Sequence, residues 1–313
     1  MTGAAGLVGS HLCEQLIAEG HRVVGVDNFN DYYDPAQKRG NVLGLLQSGR
    51  FTLSEADIQD ADAMLALCET HRPGAIAHLA AMANVRYSIG RAPLYTSVNI
   101  MGSVNLLEAA RVCDIRRFVF ASTSSAYGHT NTIPFTETDN ADRPLAPYPA
   151  SKRAIEILGY TYHNLHGIDF TALRFFSVYG PRARPDMMPF MVTDRIARGQ
   201  PITLFEAGEL WRDWTYVADI AGGTRLALDP PAPLGYAILN LGRGEPVRMA
   251  DFVASLEERL GRKAVLECPP APASEPRRTH ADISAARAAL GYDPQTGIDE
   301  GLTRLVDWYR ATR

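Results

Sequence analysis

Two side chains that could exchange a proton, the phenol of Tyr148 and the amine of Lys152, lie four residues apart in the stretch Y-P-A-S-K. Pro149 near a first turn and the apolar rhythm of Ile155 and Leu158 predict a helix, on which residues four apart share one face. A neighbouring ammonium favours the phenolate of a group that otherwise titrates near about pH 10. The pair therefore predicts an acid/base catalyst that takes a proton from a substrate hydroxyl.

A second group of residues, at the start of the chain, has the spacing of a nucleotide-binding turn. Gly3, Gly6 and Gly9 precede a helical stretch and a strand over residues 22–26 that ends in Asp27. Such a turn lets backbone amides approach a pyrophosphate at a helix N-terminus. Asp27 follows Gly9 by 18 residues, in the range for a carboxylate that binds the adenosine ribose. Because Asp27 would repel a 2′-phosphate, we expect NAD rather than NADP.

The strand that should precede this glycine turn is unusually short. Only Met1 and Thr2 come before Gly3, whereas the first strand of a dinucleotide-binding fold normally has several apolar residues. We expect either a start further upstream or a truncated first strand. A truncated strand is expected to weaken the sheet and the binding of the cofactor.

Apolar stretches typical of strands alternate with helical stretches through the first half of the chain. The expected strands span residues 22–26, 51–56, 75–79, 117–121 and 169–175. This alternation predicts an α/β fold with a doubly wound parallel sheet of the Rossmann type, which binds ligands at the carboxyl ends of its strands. We expect residues 1–175 to form an NAD-binding domain. Residues 176–313 are expected to form mainly a smaller C-terminal substrate-binding lobe, interleaved with the last strands and helices of the sheet domain.

The overall composition disfavours several classes of function. The 313 residues are 46% apolar and 21% charged, with a formal charge of −4 and a pI near 6.1. Without a basic footprint, nucleic acid is not an expected partner. Four widely separated cysteines without metal-ligand spacing indicate reduced thiols and no metal site. No apolar segment of bilayer length and no leader pattern occur, so we expect a soluble cytoplasmic protein without a membrane partner.

Several motifs together are similar to those of one enzyme family. They are T-G-A-A-G-L-V-G at residues 2–9, S-T-S-S-A-Y-G at 122–128, Y-P-A-S-K at 148–152, R-F-F-S-V-Y-G-P at 174–181 and R-D-W-T-Y-V-A-D at 212–219. With them the chain resembles, over essentially its whole length, the extended short-chain dehydrogenase/reductase family and, within it, the nucleotide-sugar 4-epimerases. Two further motifs, D-N-F-N-D-Y-Y-D-P at 27–35 and G-P-R-A-R-P-D-M at 180–187, are most similar to UDP-glucuronate 4-epimerases.

The resemblance implies roles for residues at matching positions. Tyr148 is the expected acid/base, Lys152 is expected to bind the nicotinamide ribose and lower the Tyr148 pKa, and Thr123 to hydrogen-bond the reacting oxygen. The implied cofactor-binding residues are Gly3, Gly6, Gly9, Asp27, Asn28, Asp57, Ile58, Leu79, Ala80, Ala81, Asn99, Tyr148 and Lys152. The implied reaction removes hydride from C4 of a UDP-sugar, lets the 4-keto sugar rotate and returns hydride to the opposite face, with tightly held NAD as cofactor.

Substrate contacts are also implied by the resemblance. The residues are Arg86, Ser124, Ser125, Ser177, Arg184, Arg212, Arg277 and Arg278. Arg212 is the expected diphosphate contact, assisted by Arg277 or Arg278, although this chain has Pro272 where the family's arginine usually lies. Arg184, together with three serine hydroxyls, would balance the carboxylate of a uronate. The resemblance further implies a homodimer formed through helices expected at residues 93–113 and 148–166.

Other activities remain alternatives to a UDP-glucuronate 4-epimerase. An epimerase of UDP-glucose or of a dTDP-hexose would not need Arg184. The 4,6-dehydratase relatives carry an Asp-Glu pair after the threonine, and decarboxylase relatives carry a glutamate at the second of these positions, whereas this chain has Ser124 and Ser125. A nucleotide-sensing protein without catalysis is disfavoured by the intact Tyr148 and Lys152. UDP-glucuronate and UDP-galacturonate are therefore the favoured substrate pair.

Overall fold

A parallel sheet forms the centre of the molecule. The computed structural model describes residues 1–130, 132–272 and 275–313. The strands of the whole molecule, not all of which belong to this sheet, are β1 (Val23–Asp27), β2 (Phe51–Glu55), β3 (Ala75–His78), β4 (Arg117–Thr123), β5 (Asp169–Phe175), β6 (Ser177–Tyr179), β7 (Pro201–Thr203), β8 (Trp211–Arg212), β9 (Trp214–Tyr216), β10 (Tyr236–Leu241), β11 (Val247–Arg248) and β12 (Val265–Glu267). In the central sheet β10, β5, β4 and β3 are hydrogen-bonded in this order, and β1 pairs with β2, all in parallel.

The first residues of the chain lie between β1 and β3. Thr2 bridges Val26 of β1 and His78 of β3, both in the parallel sense. Its amide donates to the Ala77 carbonyl at 3.0 Å, and its carbonyl accepts from the Leu79 amide at 3.2 Å. A cavity of about 850 Å³ lies beside this bridge, between the starts of β1 and β3. The short segment before the glycine turn thus unites the β1–β2 pair with the other strands.

Helices cover both faces of this sheet, as a doubly wound fold requires. They are α1 (Leu7–Ala18), α2 (Pro35–Leu46), α3 (Ala61–His71), α4 (Val85–Ser88), α5 (Ala92–Tyr95), α6 (Gly102–Val112), α7 (Pro147–His166), α8 (Met188–Arg198), α9 (Val217–Leu228), α10 (Met249–Leu260), α11 (Ser284–Leu290) and α12 (Ile298–Thr312). Phe118 and Phe120 of β4 pack in the same core as α3, α6 and α7, whereas Val119 packs with α9. Because alternate residues of a strand face opposite sides, this division confirms the predicted doubly wound sheet.

The predicted helix that carries Tyr148 and Lys152 is α7. Prolines occupy its first turn, and it ends at Gly167, whose φ of 65° is left-handed. Gly159 allows the helix to approach the sheet, because an added Cβ would lie 2.3 Å from the Phe170 ring. Local sequence therefore sets both ends of α7 and the face that it buries.

The helix expected over residues 93–113 differs from the structure. α5 is followed by a π-helical turn, Thr96–Met101, before α6 begins. In this turn Asn99 bonds through its side chain to the Met82 backbone, and its carbonyl accepts from the Ser103 hydroxyl. Apolar periodicity does not reveal such a local change in winding, so the sequence predicted one continuous helix.

The second half of the chain divides between the sheet and a separate core. β6 pairs with β9, β7 with β12 and β8 with β11, and α8, α10 and α12 pack around Phe190, Phe252 and Leu305. β10 nevertheless lies beside β5 in the central sheet, and α9 packs on α1. The predicted division into an NAD-binding domain over residues 1–175 and an interleaved lobe over residues 176–313 stays a prediction. Within the described ranges no helix is long and apolar enough to cross a bilayer.

Candidate active site

A cavity of about 370 Å³ lies at the carboxyl ends of the central strands. Parallel strands that end at one edge bring residues from distant parts of the sequence to the same place. The predicted site residues that line it are Gly3, Gly6, Gly9, Asp27, Asn28, Ile58, Leu79, Ala80, Ala81, Thr123, Tyr148, Lys152 and Arg184. The predicted residues that do not line it are Asp57, Arg86, Asn99, Ser124, Ser125, Ser177, Arg212, Arg277 and Arg278.

The glycine turn at the start of the chain is too close-packed for side chains. Gly3 has a φ of +68°, and an added Cβ would lie 2.7 Å from the Ala80 amide nitrogen. An added Cβ at Gly9 would lie 2.0 Å from the Gly3 carbonyl oxygen. Gly6 precedes α1 without a side-chain cap, which leaves amides of the first turn available to an anion. This cradle fits the pyrophosphate of a dinucleotide.

The carboxylate of Asp27 is fixed at the next strand end. Its two oxygens accept from the Ala5 amide at 3.1 Å and the Phe29 amide at 3.0 Å. Asn28 donates to Asp57 at 2.8 Å. Although partial burial raises the pKa of Asp57, hydrogen bonds from Gln59 and Asn28 hold it below its usual range. Asp27 and Asn28 therefore provide a preformed acceptor edge suited to the hydroxyls of an adenosine ribose.

Lys38 is a cavity residue that the sequence analysis missed. Its side chain on α2 is 5% exposed and lines the same cavity as Asp27. The ammonium donates to the carbonyl and side-chain oxygens of Asn30 at 2.6 and 2.8 Å, and lies 4.5 Å from the centre of the Tyr33 ring. Burial lowers the pKa of Lys38. A lysine on a polar helix is normally solvated, so no pattern in the sequence indicated this position.

Tyr148, Lys152 and Thr123 meet at the inner end of the cavity. Burial raises the pKa of Tyr148, and the Thr123 hydroxyl and the charge of Arg184 oppose that rise. Burial lowers the pKa of Lys152 to about 7, and its ammonium lies 4.6 Å from the Phe120 ring centre. In this structure the charge that lowers the pKa of Tyr148 is therefore that of Arg184, whereas the sequence analysis expected Lys152 in this role.

Asn99 lies behind this group and supports it. It is 1% exposed, and its amide donates to the Ser151 hydroxyl at 2.9 Å, which in turn donates to the Tyr148 carbonyl at 2.7 Å. The same side chain accepts from the Met82 amide at 2.8 Å. Asn99, predicted as a cofactor contact, thus connects the π-helical turn to the first turn of α7 and fixes the backbone that carries the phenol.

A buried ion pair beneath the strand end is a further feature that sequence reasoning missed. Glu156 is fully buried and accepts from Arg174 at 3.0 and 2.8 Å, from Ser122 at 2.5 Å and from Arg153 at 3.0 Å. The pair joins α7, β4 and β5 directly behind Thr123. The sequence contained two signals of this pair. Arg174 lies inside an apolar strand, and Glu156 lies four residues after Lys152, on the same face of the predicted helix.

The predicted substrate residues divide into two places. Ser124 and Ser125 form a 3₁₀ turn after Thr123, whose hydroxyl accepts from the Ser125 amide at 3.2 Å. Arg184 lines the cavity and forms an ion pair with Asp186.

The arginines expected at the diphosphate lie outside the cavity lining. Arg212 and Arg86 both bind Glu275, at 2.5 and 3.0 Å. The Arg278 guanidinium lies 5.5 Å from the Trp211 ring centre, and the Arg277 carbonyl accepts from the Trp211 amide at 3.0 Å. Glu275 thus brings one predicted arginine from each half of the chain together, a contact that the sequence did not indicate.

Comparisons with known proteins agree with this geometry. Residues 1–242 match the model of the NAD dependent epimerase/dehydratase family. A UDP-glucuronate 4-epimerase of Thermodesulfobacterium geofontis is 41% identical over 98% of this chain and 94% of its own length. The crystal structure of a Bacillus cereus UDP-glucuronic acid 4-epimerase with UDP-glucuronic acid and NAD superposes with a TM-score of 0.92 at 34% identity, covering 100% of this chain and 98% of its own. A Streptomyces venezuelae dTDP-glucose 4,6-dehydratase with NAD superposes with a TM-score of 0.90 at 28% identity, covering 100% and 96%.

Proposed function

The chain belongs to the NAD dependent epimerase/dehydratase family, and from this membership we propose that it interconverts UDP-glucuronate and UDP-galacturonate by inverting C4. The observation that carries the choice of sugar is a guanidinium, that of Arg184, in the same cavity as Tyr148 and Thr123. A uronate differs from a hexose by one carboxylate, which a charge-assisted bond to arginine recognises. The family relation and this charge together support a uronate as substrate.

The chain's own residues perform the proton chemistry. Tyr148 takes the proton from the 4-hydroxyl and later returns it, while Thr123 hydrogen-bonds the same oxygen. Lys152 would hold the ribose next to the nicotinamide, and the charge of Arg184 favours the phenolate of Tyr148. The glycine turn and Asp27 would hold NAD, which would accept the C4 hydride and give it back, so that the reaction has no net oxidation.

The carboxylate of the substrate creates a hazard that the site must control. A 4-keto uronate is a β-keto acid, which loses CO2 when the bond to its carboxylate aligns with the carbonyl π system. A charge-assisted bond from Arg184, which lines the cavity, would hold that bond out of alignment, whereas the expected hydroxyls of Ser124, Ser125 and Ser177 lie outside the cavity lining. Fixed contacts at the carboxylate therefore favour epimerisation over decarboxylation.

The fold does not distinguish epimerase from dehydratase, because a dehydratase has the same fold. Ser124 and Ser125 stand where elimination would need an acid and a base, and hydroxyls titrate far too high for that task. UDP-glucose or a dTDP-hexose is the second candidate substrate, and it would leave the charge of Arg184 without a partner on the sugar. We therefore place these sugars behind the uronates.

We also propose a homodimer in the cytoplasm. Apolar side chains are exposed on α5, on the π-helical turn and on α7: Leu94, Met101, Ile157, Tyr160 and Leu165. These surfaces belong to the two helical regions predicted as the interface, and burying them against a second copy would remove apolar area from water. The four cysteines are free thiols, as expected in a reducing compartment.

The direct test is to incubate the purified protein with UDP-glucuronate and no added NAD. Anomeric-proton NMR follows the nucleotide sugars, and released CO2 is measured in parallel. A UDP-galacturonate signal without CO2 supports the proposal and shows that NAD copurifies. Turnover of UDP-glucose but not of UDP-glucuronate would contradict the proposed substrate, and CO2 release would contradict the proposed reaction.

A further inference from the structure

Asp186 collects four hydrogen bonds from three separate segments at the mouth of the cavity. Arg184 grips it with two nitrogens, Nε to Oδ1 at 2.9 Å and Nη2 to Oδ2 at 3.2 Å. Tyr32 donates to Oδ2 at 2.8 Å from the loop that follows Asp27. Asn84 donates to the same oxygen at 2.8 Å from the segment after β3.

These bonds fix both oxygens of Asp186 to protein groups. Oδ2 accepts from three donors, and Oδ1 accepts from Arg184 Nε. Burial would raise the pKa of Asp186, but hydrogen bonds and the charge of Arg184 hold it below its usual range. The side chain is therefore a fixed anion whose partners are protein groups, and its effect on substrate passes through Arg184.

The two hydrogen bonds from Arg184 to Asp186, here called the fork, determine which nitrogen of Arg184 remains for a ligand. Nε and Nη2 are engaged by Asp186, and Nη1 makes no hydrogen bond within the parts of the chain that the structure describes. Arg184 lines the cavity together with Tyr32 and Asn84. Nη1 is thus the corner of the guanidinium available to a carboxylate. Without the fork, substrate binding would have to order this long side chain itself.

A second contact joins the same two loops. The Gln37 amide donates to the Ala183 carbonyl at 3.1 Å, so the segments around Tyr32 and Arg184 are tied at both ends. The Tyr32 ring also lies edge-on to Tyr87, with ring centres 5.0 Å apart. The loop at the cofactor end and the loop at the sugar end therefore form one connected rim.

We propose that Asp186 is the positioning residue for uronate selectivity: it holds Arg184 so that Nη1 meets the sugar carboxylate, and it links that arginine through Tyr32 to the cofactor loop. The proposal rests on the proposed function. It assigns to Tyr32 and Asn84 an indirect part in selecting the acid over the neutral sugar, because both fix the orientation of the same carboxylate oxygen.

The test measures dissociation constants of UDP-glucuronate and UDP-glucose by calorimetry on the NAD-containing protein. Asp186→Asn keeps the shape of the side chain but replaces the carboxylate by a neutral amide. Only one acceptor oxygen then remains, so Arg184 loses its fork. We expect affinity for UDP-glucuronate to fall about 10- to 100-fold, the range for a lost charge-assisted bond. Affinity for UDP-glucose should change less than about 2-fold, because no carboxylate is recognised. Tyr32→Phe should give a smaller loss in the same direction.

A matched control is Asp251→Asn on α10. Asp251 grips Arg248 in the same two-point manner, at 3.2 and 2.8 Å, but outside the cavity. This variant should leave both affinities unchanged. In a protein that already carries Arg184→Ala, Asp186→Asn should cause no further loss of selectivity, because the two residues act as one unit.

Three outcomes would overturn the proposal. These are an unchanged or tighter affinity of Asp186→Asn for UDP-glucuronate, an equal loss for both nucleotide sugars, and an additive loss in the Arg184→Ala background. If Asp186→Asn does not fold, the same three readings of Tyr32→Phe decide. Absence of any preference for UDP-glucuronate in the unaltered protein is a different result, because it contradicts the proposed function.

Discussion

Two groups of predicted site residues are built in different ways. Thr123, Tyr148 and Lys152, here called the reaction group, lie on β4 of the central sheet and on α7; Thr123 and Lys152 are buried and Tyr148 is half-buried. Arg86, Arg184 and Arg212, here called the arginine group, lie on a short helix, a loop and a two-residue strand.

The residues that support the reaction group and those that hold the arginine group also differ in burial. Glu156 and Asn99 support the reaction group from within the core, at 0% and 1% exposure. The arginine group is held by Asp186 and Glu275, and the side chain of Arg86 is 68% exposed. The residues proposed for the chemistry therefore lie on regular elements of the core, whereas those proposed for substrate choice lie on loops and short elements, where contacts change with less effect on the core.

The largest effect should follow removal of the phenol oxygen. Tyr148→Phe leaves the ring in place but removes the group that exchanges the proton, so kcat should fall on the order of 10³-fold. Binding of UDP and thermal stability should change little, because the helix and its supports remain. Turnover is measured by NMR and binding by calorimetry. A variant that kept a tenth of the activity would place the acid/base elsewhere.

The next effect should come from the buried ion pair under the reaction group. Glu156→Gln leaves Arg174, which is 1% exposed, with an uncompensated charge. Breaking such a pair costs about 3–5 kcal/mol of unfolding free energy, measured by urea denaturation. The control is Glu300→Gln, an exposed partner of Arg304, where about 0.5 kcal/mol or less is expected. Similar losses in both variants would mean that burial does not distinguish the two regions.

Lys152 should make stability depend on pH in the protein stripped of NAD. Burial lowers its pKa from 10.5 to about 7, so the unfolded chain binds the extra proton between these values. The free energy of unfolding therefore rises as pH increases from 7 towards 10.5, and the destabilisation caused by the buried amine is fully present below pH 7. Lys152→Met removes it and should be more stable at pH 6 by about 2–4 kcal/mol.

This advantage of Lys152→Met should shrink as the pH approaches 10. Urea denaturation of both proteins across that range provides the measurement. A difference that does not vary with pH would show that the lysine amine is not buried without a partner, and that the reaction group is less enclosed than the structure indicates.

The smallest effect should appear at the surface end. Glu275 partly neutralises Arg212 and Arg86, so Glu275→Gln should tighten UDP binding by about 2- to 5-fold at low salt, as expected for partly exposed pairs. Uridine, which has no phosphate, should bind equally to both proteins. Glu209→Gln, which breaks a surface pair with Arg248, serves as the control. Weaker binding of uridine to Glu275→Gln would indicate that Glu275 contacts the nucleoside instead.

Much of the reaction group could be predicted from local sequence. The spacing of Tyr148 and Lys152 needs only the helical period, and α7 is present as expected. The glycine turn and Asp27 need only one strand, one turn and one helix. Because parallel strands end at a common edge, the alternation of elements also predicted where these residues would meet.

The partners of these residues depended on the tertiary structure. Arg86 and Glu275 are 189 positions apart, Tyr32 and Asp186 are 154 apart, and both pairs form through the path of the chain rather than a local period. The burial of Lys38 and the pairing of Glu156 with Arg174 depend in the same way on what packs above them. Sequence by itself determined the fold class, the glycine turn and the shared helix of Tyr148 and Lys152, because backbone geometry imposes their periods. Only the folded chain decided which charges face each other, since charge pairing requires distance and burial that no local pattern contains.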